Sequence, residues 1–485
     1  MSVGVMWFRQ DLRLADNPAF SAACKQCDQL VAVFIDDPLD QTVSSLGEAS
    51  RAWLHHSLKA LADSLRAKGT DLYFAQGSSL SVLTNILEVT GSESVFWNRC
   101  YDPATIARDT TIKASLADYK PRTFNASLIH EPWENLKGDG TVYRVYSPYW
   151  RAAAKQIDAA PEQLTLAKSP RAIPAVKKSV LKLLKPGAEA GCVQLSALEL
   201  MPGHEWGESM MSHWQAGESL ARKKLDLFRK ATVHDYDEGR NLPAKAGTSM
   251  LSPHLHFGEI SPRQVLLRLL GGRALSDLSD GELTYAKEIV WREFAYTLIY
   301  HFPHTLEEPL DARFKRFKWA KNTDKHLLAW QQGRTGVPIV DAGMRELYAI
   351  GWMHNRVRMI VASYLIKNLL IPWQSGENWF RNTLVDADVA SNAMGWQWTA
   401  GSGADAAPYF RVFNPVLQGE KFDKSGDYVR RWVPELRNAP TKYIHKPWEL
   451  DAETRQNFDY PDPLVDLKFS RERALSAFSA LKGTK

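Results

Sequence analysis

Cysteine is scarce in this 485-residue chain: Cys24, Cys27, Cys100 and Cys192 are all there are. So few thiols exclude a disulfide scaffold and make a reducing compartment the simplest setting. No window approaches the eighteen consecutive apolar residues of a membrane span, so no membrane partner is expected. Met1 to Gln10 lacks the basic segment, apolar run and cleavage site of a secretory signal. The expected location is therefore cytoplasmic, and nucleoid-associated if the source is bacterial. No repeat of fixed period occurs, which sets aside solenoids and propellers. The glycine fingerprints that cradle phosphates are missing too, since there is neither a G-x-G-x-x-G after the first strand pattern nor a Walker A loop. Neither sign of charge dominates. The 60 Lys plus Arg against 55 Asp plus Glu leave +5, which permits a nucleic-acid partner without demanding one.

Aromatics, by contrast, are plentiful: 17 Trp, 16 Tyr and 19 Phe. That surplus suits ring stacking or redox work, although large cores also consume Trp. A 45% apolar and 24% charged composition is ordinary for a globular protein and excludes collagen-like, coiled-coil and wholly disordered chains. The length predicts two or three units.

The first 130 residues alternate strand and helix patterns. Val3 to Phe8, Leu30 to Ile35, Leu72 to Ala75 and Val95 to Trp97 read as strands. Asn17 and Pro18 read as an N-cap and first helical residue, and Trp53, Leu54, Leu58, Leu61 and Leu65 follow helical spacing up to Gly69. This predicts an α/β domain over 1–130, a doubly wound parallel sheet with helices on both faces. Prolines 148, 161, 170, 174, 186 and 202 and a run of lysines mark 131–210 as a long linker with short helices. Strand patterns vanish from about Gly217, so 211–485 is predicted to be all-α. One buried helix includes Leu283 to Leu298, and two more between Val340 and Leu370 break near Gly351.

Several clusters invite chemistry. Gly247-Thr-Ser-Met-Leu-Ser252 places hydroxyls and backbone N–H groups at a helix start, where a phosphate would be welcome; an ordinary turn and N-cap is the plainer account. Glu288, Trp291 and Arg292 share a helix face, as either a surface ion pair or a stacking platform flanked by polar groups. Trp352, Asn355, Arg356, Arg358 and Met359 crowd a second helix start, and such arginines need acidic partners or anionic ligands. Asp386 and Asp388 could bind a metal, act as an acid/base pair or simply pair with those arginines; no His or Cys set accompanies them, so no metal is expected. Cys24-x-x-Cys27 has no second pair nearby and reads as a helix face.

Taken in order, the motifs Trp7-Phe-Arg-Gln-Asp-Leu-Arg-Leu14, Gly247 to Ser252, Trp291-Arg-Glu-Phe294, Gly336 to Met359, Asp386 to Trp398 and Tyr409 to Asp423 are more specific than any one alone. On them the chain resembles the DNA photolyase and cryptochrome flavoproteins. It is most similar to the class I photolyases that repair cyclobutane pyrimidine dimers. The resemblance implies an FAD held in the helical domain by Tyr236, Thr248, Ser249, Leu251, Ser252, Trp291, Arg292, Trp352, Asn355, Arg358, Asp386, Asp388 and Asn392, with Asn392 facing the flavin N5. It implies a lesion pocket of Glu288, Trp291, Asn355, Met359 and Trp398, and phosphate contacts from Arg240, Arg356, Gln418 and Lys421. Trp396, Trp373 and Trp319 match the family's path for photoreducing the flavin, and Glu288 and Asn392 complete the expected catalytic set.

The implied function is light-driven repair of UV-damaged double-stranded DNA by electron transfer from excited reduced FAD. A monomer with no obligate protein partner is expected. Asn at 392 favours repair over a receptor, as does the lack of a long C-terminal tail. The alternative remains a blue-light receptor that keeps the flavin without repairing, and outside the family a hydrolase built on Asp386 and Asp388. For an antenna pigment, Phe34, Asp37 and Arg51 point to a deazaflavin rather than methenyltetrahydrofolate, and an empty site is the third possibility.

Overall fold

Val3–Phe8 is apolar throughout, a pattern that suits a strand covered on both sides. In the computed structural model it is β1, the centre of a sheet, with all six residues buried. The structure describes residues 2–38, 45–159, 164–406 and 410–482; Pro161 and Tyr409 of the patterns above lie outside them. Around β1 lie β2 (Gln29–Asp36), β3 (Leu72–Gln76), β4 (Ser94–Asn98) and β5 (Arg122–Phe124), in the order β3-β2-β1-β4-β5, every pairing parallel. Alternate side chains serve two cores. Val5, Trp7, Val33 and Trp97 meet Leu83, Leu87 and Ile112 on one face. Met6, Phe8, Phe34 and Phe96 meet Phe20, Trp53 and Leu58 on the other. The α/β expectation holds for this region. The three-residue β5 is too short to show a pattern of its own.

Asn17 caps helix Pro18–Gln26 by accepting the Phe20 N–H. Cys24 lies on that helix and Cys27 just beyond it; burial pushes both thiols up, Cys24 to about 12, so neither is a ready thiolate.

The proline-punctuated stretch corrects one expectation, because its helix Tyr146–Ala159 runs fourteen residues. Pro148 falls in the first turn, where a missing N–H costs nothing. Tyr146 and Tyr149 pack their rings against Phe294 at 5.8 and 5.1 Å. Farther on, Val193 bridges antiparallel to Phe74, and Leu184 and Cys192 help close the core beneath the sheet.

The remainder is helical. Asp280–His301, the longest helix, starts at a reciprocal cap between Ser279 and Glu282. Pro338–Ile350 stops at Gly351, whose φ of +65° favours glycine and where a Cβ would sit 2.5 Å from Met210 Sδ. The indole N–H groups of Trp206 and Trp214 donate to Tyr348 O and Ile350 O at 2.6 Å, occupying carbonyls that the helix end leaves open. Asn355–Ser363 follows and runs into a π-helical turn, Tyr364–Asn368.

The two parts are tied by buried polar contacts. Arg13, fully buried, donates to Gly258 O at 2.9 Å and to Ala126 O at 2.8 Å. Trp53 Nε1 donates to Glu259 Oε1 at 3.2 Å, and the other Glu259 oxygen pairs with His254. Among the described residues no helix is long and apolar enough to cross a membrane.

Candidate functional site

Helices Asp280–His301, Asn355–Ser363 and Val389–Ala400 and the short segments Tyr236–Gly239 and Ser252–His256 lie against one another. They are clamped to each other by side chains. Arg358 Nη2 donates to both Asp386 oxygens at 3.0 and 2.9 Å, and its Nε donates to Met353 O at 2.7 Å. This pair answers the buried-charge problem of the 352–359 cluster. Asp388 caps Val389–Ala400 by accepting the Ser391 N–H at 2.9 Å; it also accepts from Tyr296 Oη at 2.7 Å and lies 3.8 Å from Arg292. Burial opposes ionisation of Asp388, but Arg292, His256, Tyr296 and the Ser391 N–H together hold its carboxyl below the usual range.

Glu288 does not pair with Arg292. It pairs with Arg240, while Arg292 turns away and donates to Ser127 O at 2.7 Å. The helix face read from spacing is therefore split between two neighbourhoods.

The hydroxyl segment is less helical than its pattern suggests. Thr248 and Ser249 precede Ser252–His256, a helix of only five residues, so donor groups rather than a macrodipole supply any attraction for phosphate. Ser249 Oγ accepts from Tyr285 Oη at 3.0 Å, and Ser252 Oγ accepts from Trp352 Nε1 at 3.3 Å. Leu251 and Tyr236 are buried beside them.

Exposed positions on otherwise buried helices mark a hollow. Ser252, Asn355, Ser391 and Gly395 are exposed, each next to at least one buried residue in the chain. A Cβ added at Gly395 would meet nothing within 4 Å. Hydroxyl and N–H donors at one end and fixed Arg–Asp charges at the other suit a dinucleotide such as FAD. Asn392 Nδ2 donates to Glu377 Oε1 at 2.9 Å, which leaves the amide oxygen as the free acceptor. Sequence reading missed Glu377, because a Glu four residues before Arg381 looks like a surface helix pair.

At the mouth, Trp291 stacks on Tyr146, centroids 3.6 Å apart and planes 12° from parallel. Sequence reading missed Tyr146, because the two residues meet only through the tertiary fold. Asp405 joins the same wall. It accepts the Tyr146 N–H at 3.1 Å through its carboxylate and the Trp398 Nε1–H at 3.1 Å through its carbonyl, and its N–H donates to Arg144 O at 3.0 Å. Asp405 holds a φ of +53°, an unfavourable conformation for a residue with a side chain. Arg356 donates to Asn241 Oδ1 at 2.5 Å, its guanidinium 4.5 Å from the Phe422 ring, and Lys421 Nζ lies 5.2 Å from that ring. Met359 Sδ is 3.8 Å from Arg356 Nη1, and Gln418 lies on helix Pro415–Phe422 with Lys421. Arg240, expected on phosphate, is engaged by Glu288.

Trp396 and Trp373 are buried in the large helical core, and Trp319 packs at its edge. The ring contacts of Trp396 are Phe380 at 5.0 Å and Trp330 at 6.2 Å, while Trp319 lies 4.5 Å from Phe317. Sequence reading did not single out Trp330.

A second hollow follows from the sheet order. β1 is flanked by β2 and β4, and the crevice beyond the carboxyl ends at such a reversal is where parallel sheets take ligands. A 330 Å³ cavity lies there, lined by Trp7 on β1 and Arg9 just past it, Phe34 and Asp36 on β2 and Asp37 just past it, and Cys100, Asp102 and Arg108 after β4. Arg51 also lines it, paired with Asp36 at 3.1 Å, and Asp37 accepts the Ser79 N–H at 3.0 Å. His256, Glu377, Arg381 and Asn392 close the far wall. The three antenna residues named from sequence therefore share one cavity with Asn392. Both ring nitrogens of buried His256 find no hydrogen-bond partner in the protein.

Two family models match the chain: DNA photolyase over residues 4–170 and the FAD binding domain of DNA photolyase over 285–480. A deoxyribodipyrimidine photo-lyase of Agrobacterium fabrum is 46% identical, over 99% of this chain and 98% of that protein; one from Escherichia coli is 36% identical over 99% of each. Cryptochrome-2 of Arabidopsis thaliana is 36% identical, over 98% of this chain and 78% of its own length. Among solved structures, a bacterial class III photolyase from Agrobacterium tumefaciens superposes with a TM-score of 0.91 at 45% identity, covering 100% of this chain and 98% of that one. An archaeal photolyase from Sulfolobus tokodaii with two FAD molecules gives 0.78 at 28% identity, over 99% and 100%. With models matching both halves and relatives aligned end to end, the chain belongs to the DNA photolyase family.

Proposed function

We propose that this protein repairs cyclobutane pyrimidine dimers in duplex DNA, using blue light and a resident FAD. The observation that carries the reading is the mouth of the helical hollow. There a carboxylate (Glu288) and two indoles (Trp291 and Trp398, joined through Tyr146 and Asp405) stand on the helices that the Arg358–Asp386 and Arg292–Asp388 charges clamp together. A fused dimer is too wide for the base stack and has to be flipped out to be read. The indoles offer it apolar faces, and Glu288, once shared between Arg240 and the lesion, accepts a hydrogen bond from the pyrimidine edge. Arg356 and Lys421 lie where backbone phosphates would pass.

FAD, when bound, supplies light absorption and the transferable electron. The protein positions it. Thr248, Ser249, Ser252 and Tyr236 would hold its phosphates and ribitol, Arg358 and Asp386 would fix the charge beside its ring, and Asn392 would present its amide oxygen. In such a dry, preorganised site fixed dipoles act without reorganising. Trp396, Trp373 and Trp319 would serve reduction of oxidised flavin.

The strand-end cavity is assigned to an antenna pigment. Phe34 gives it an apolar wall, and Arg51 and Asp37 give polar ones; we retain a deazaflavin as its occupant over methenyltetrahydrofolate. Release of bound pigment followed by mass spectrometry identifies it.

The central test is repair itself. Purified protein with reduced flavin should bind a dimer-containing duplex in the dark and split the dimer only under blue light. Normal binding without light-dependent splitting would reject repair in favour of the receptor reading, which the cryptochrome match keeps in view. A preparation with no flavin absorption would remove both.

A further inference from the structure

Beside the lesion mouth, but outside it, runs an open groove of 530 Å³ between the 137–148 segment and the end of helix Asp280–His301. That volume lies within the roughly 300–1,000 Å³ typical of small-ligand sites. Tyr143 and Phe302 give it two aromatic faces, and Lys137, Arg144 and His301 its polar groups. None of its described lining residues is acidic. Lys137 and Arg144 are exposed, and the Arg144 guanidinium lies over the Phe302 ring at 4.8 Å. Aromatic faces interleaved with cations are what single-stranded nucleic acid binds, because every base has a face and every link a charge.

The groove is continuous with the lesion wall. Arg144 O accepts the Asp405 N–H, and Asp405 in turn holds Tyr146, the ring stacked on Trp291, and the Trp398 indole. Flipping a dinucleotide unstacks its neighbours, and a second stacking surface a short step away offsets that cost.

We propose that this groove seats a nucleotide of the damaged strand next to the flipped lesion, its base against Tyr143 and its phosphate on Arg144 and Lys137. The inference rests on the repair reading. Flavin-loaded full-length protein is titrated in the dark with three probes: a thymine-dimer dinucleotide, a nine-nucleotide single strand with a central dimer, and the same strand in duplex. Tyr143→Ala should weaken both longer probes about tenfold and leave the dinucleotide unchanged. A Lys137→Ala, Arg144→Ala double variant should lower the salt slope of single-strand binding by about 1.4, at about 0.7 for each lost cation.

Variants that bind the longer strand like the parent would overturn the assignment. So would a loss confined to the duplex, which would give the groove to the undamaged strand. Should Tyr143→Ala fail to fold, the exposed Lys137 and Arg144 decide the question through the salt slope alone. A parent that does not prefer the dimer dinucleotide to an undamaged one refutes the repair reading, and the groove assignment falls with it.

Discussion

Gly376 and Gly395 lie inside neighbouring helices, Trp373–Thr383 and Val389–Ala400, and alanine at the two positions should act with opposite signs. Inside a helix, alanine is favoured over glycine by about 1 kcal/mol. At Gly376 a Cβ would lie 2.1 Å from Trp396 Cη2, 2.5 Å from its Cζ3 and 2.7 Å from Leu365 Cδ2. Ordinary contact begins near 3.4 Å, so the indole has to retreat by more than an ångström. It has little room, being 3% exposed with Phe380 and Trp330 against it. Overpacking of this kind costs about 1–3 kcal/mol, which cancels the propensity gain and leaves a net loss of up to about 2 kcal/mol. At Gly395 the Cβ meets nothing, so flavin-free protein should gain about 1 kcal/mol, a rise of roughly 1–2 °C in melting temperature. With FAD added the sign should reverse, because the methyl points into the volume assigned to the cofactor. Thermal unfolding of both variants with and without flavin reads all four quantities. Gly376→Ala melting above the parent would refute the packing argument for Trp396. Gly395→Ala gaining equally with and without flavin would take that helix out of the cofactor wall.

Three further outcomes are expected. Glu288→Ala should slow repair while leaving the flavin spectrum intact, measured by dimer splitting under constant light; an unchanged rate takes Glu288 out of lesion recognition. Trp396→Phe should block photoreduction of oxidised flavin yet spare repair by protein already reduced, and photoreduction at the parent rate would contradict the electron path. Burial pushes the Glu346 carboxyl up to about 7 despite hydrogen bonds from Tyr428 and the His354 N–H, so the folded state binds the extra proton and stability falls as pH rises from about 4.5 to 7. Burial pulls neighbouring His354 down to about 4, which raises stability with pH over about 4 to 6.5; Glu346→Gln should therefore unmask that rise by an amount on the order of 3 kcal/mol in pH-dependent urea unfolding.

The parallel sheet was readable because its strands are buried on both faces and broken by turns, so apolar runs such as Val3–Phe8 and Gln29–Asp36 stand out. Gly351 was readable because a chain stop with positive φ has few alternatives to glycine. What escaped notice depends on long-range contact. Tyr146 is 145 residues from Trp291, Glu377 is fifteen from Asn392, and Trp330 is 66 from Trp396; none of these spacings carries a helical or strand period. The same limit explains the split of Glu288 from Arg292. Spacing placed them on one face, but a helix face is wide, and long side chains four residues apart can reach different partners.

The strand-end cavity and the helical hollow are not separate rooms. Arg292 touches the sheet side through Ser127 O and the helical side through Asp388; His256 lines the cavity and lies 4.0 Å from Asp388. Asn392 and its anchor Glu377 line the same cavity from two neighbouring helices. A pigment in that cavity and a flavin in the hollow would thus rest on shared side chains, and their relative orientation would be fixed by packed walls rather than by a loop. Energy passed between two chromophores depends on their orientation as well as their distance, so a rigid common wall is the arrangement that physics favours. A substitution at His256 or Glu377 would then reach both sites, since each side chain meets the cavity directly and touches Asp388 or Asn392.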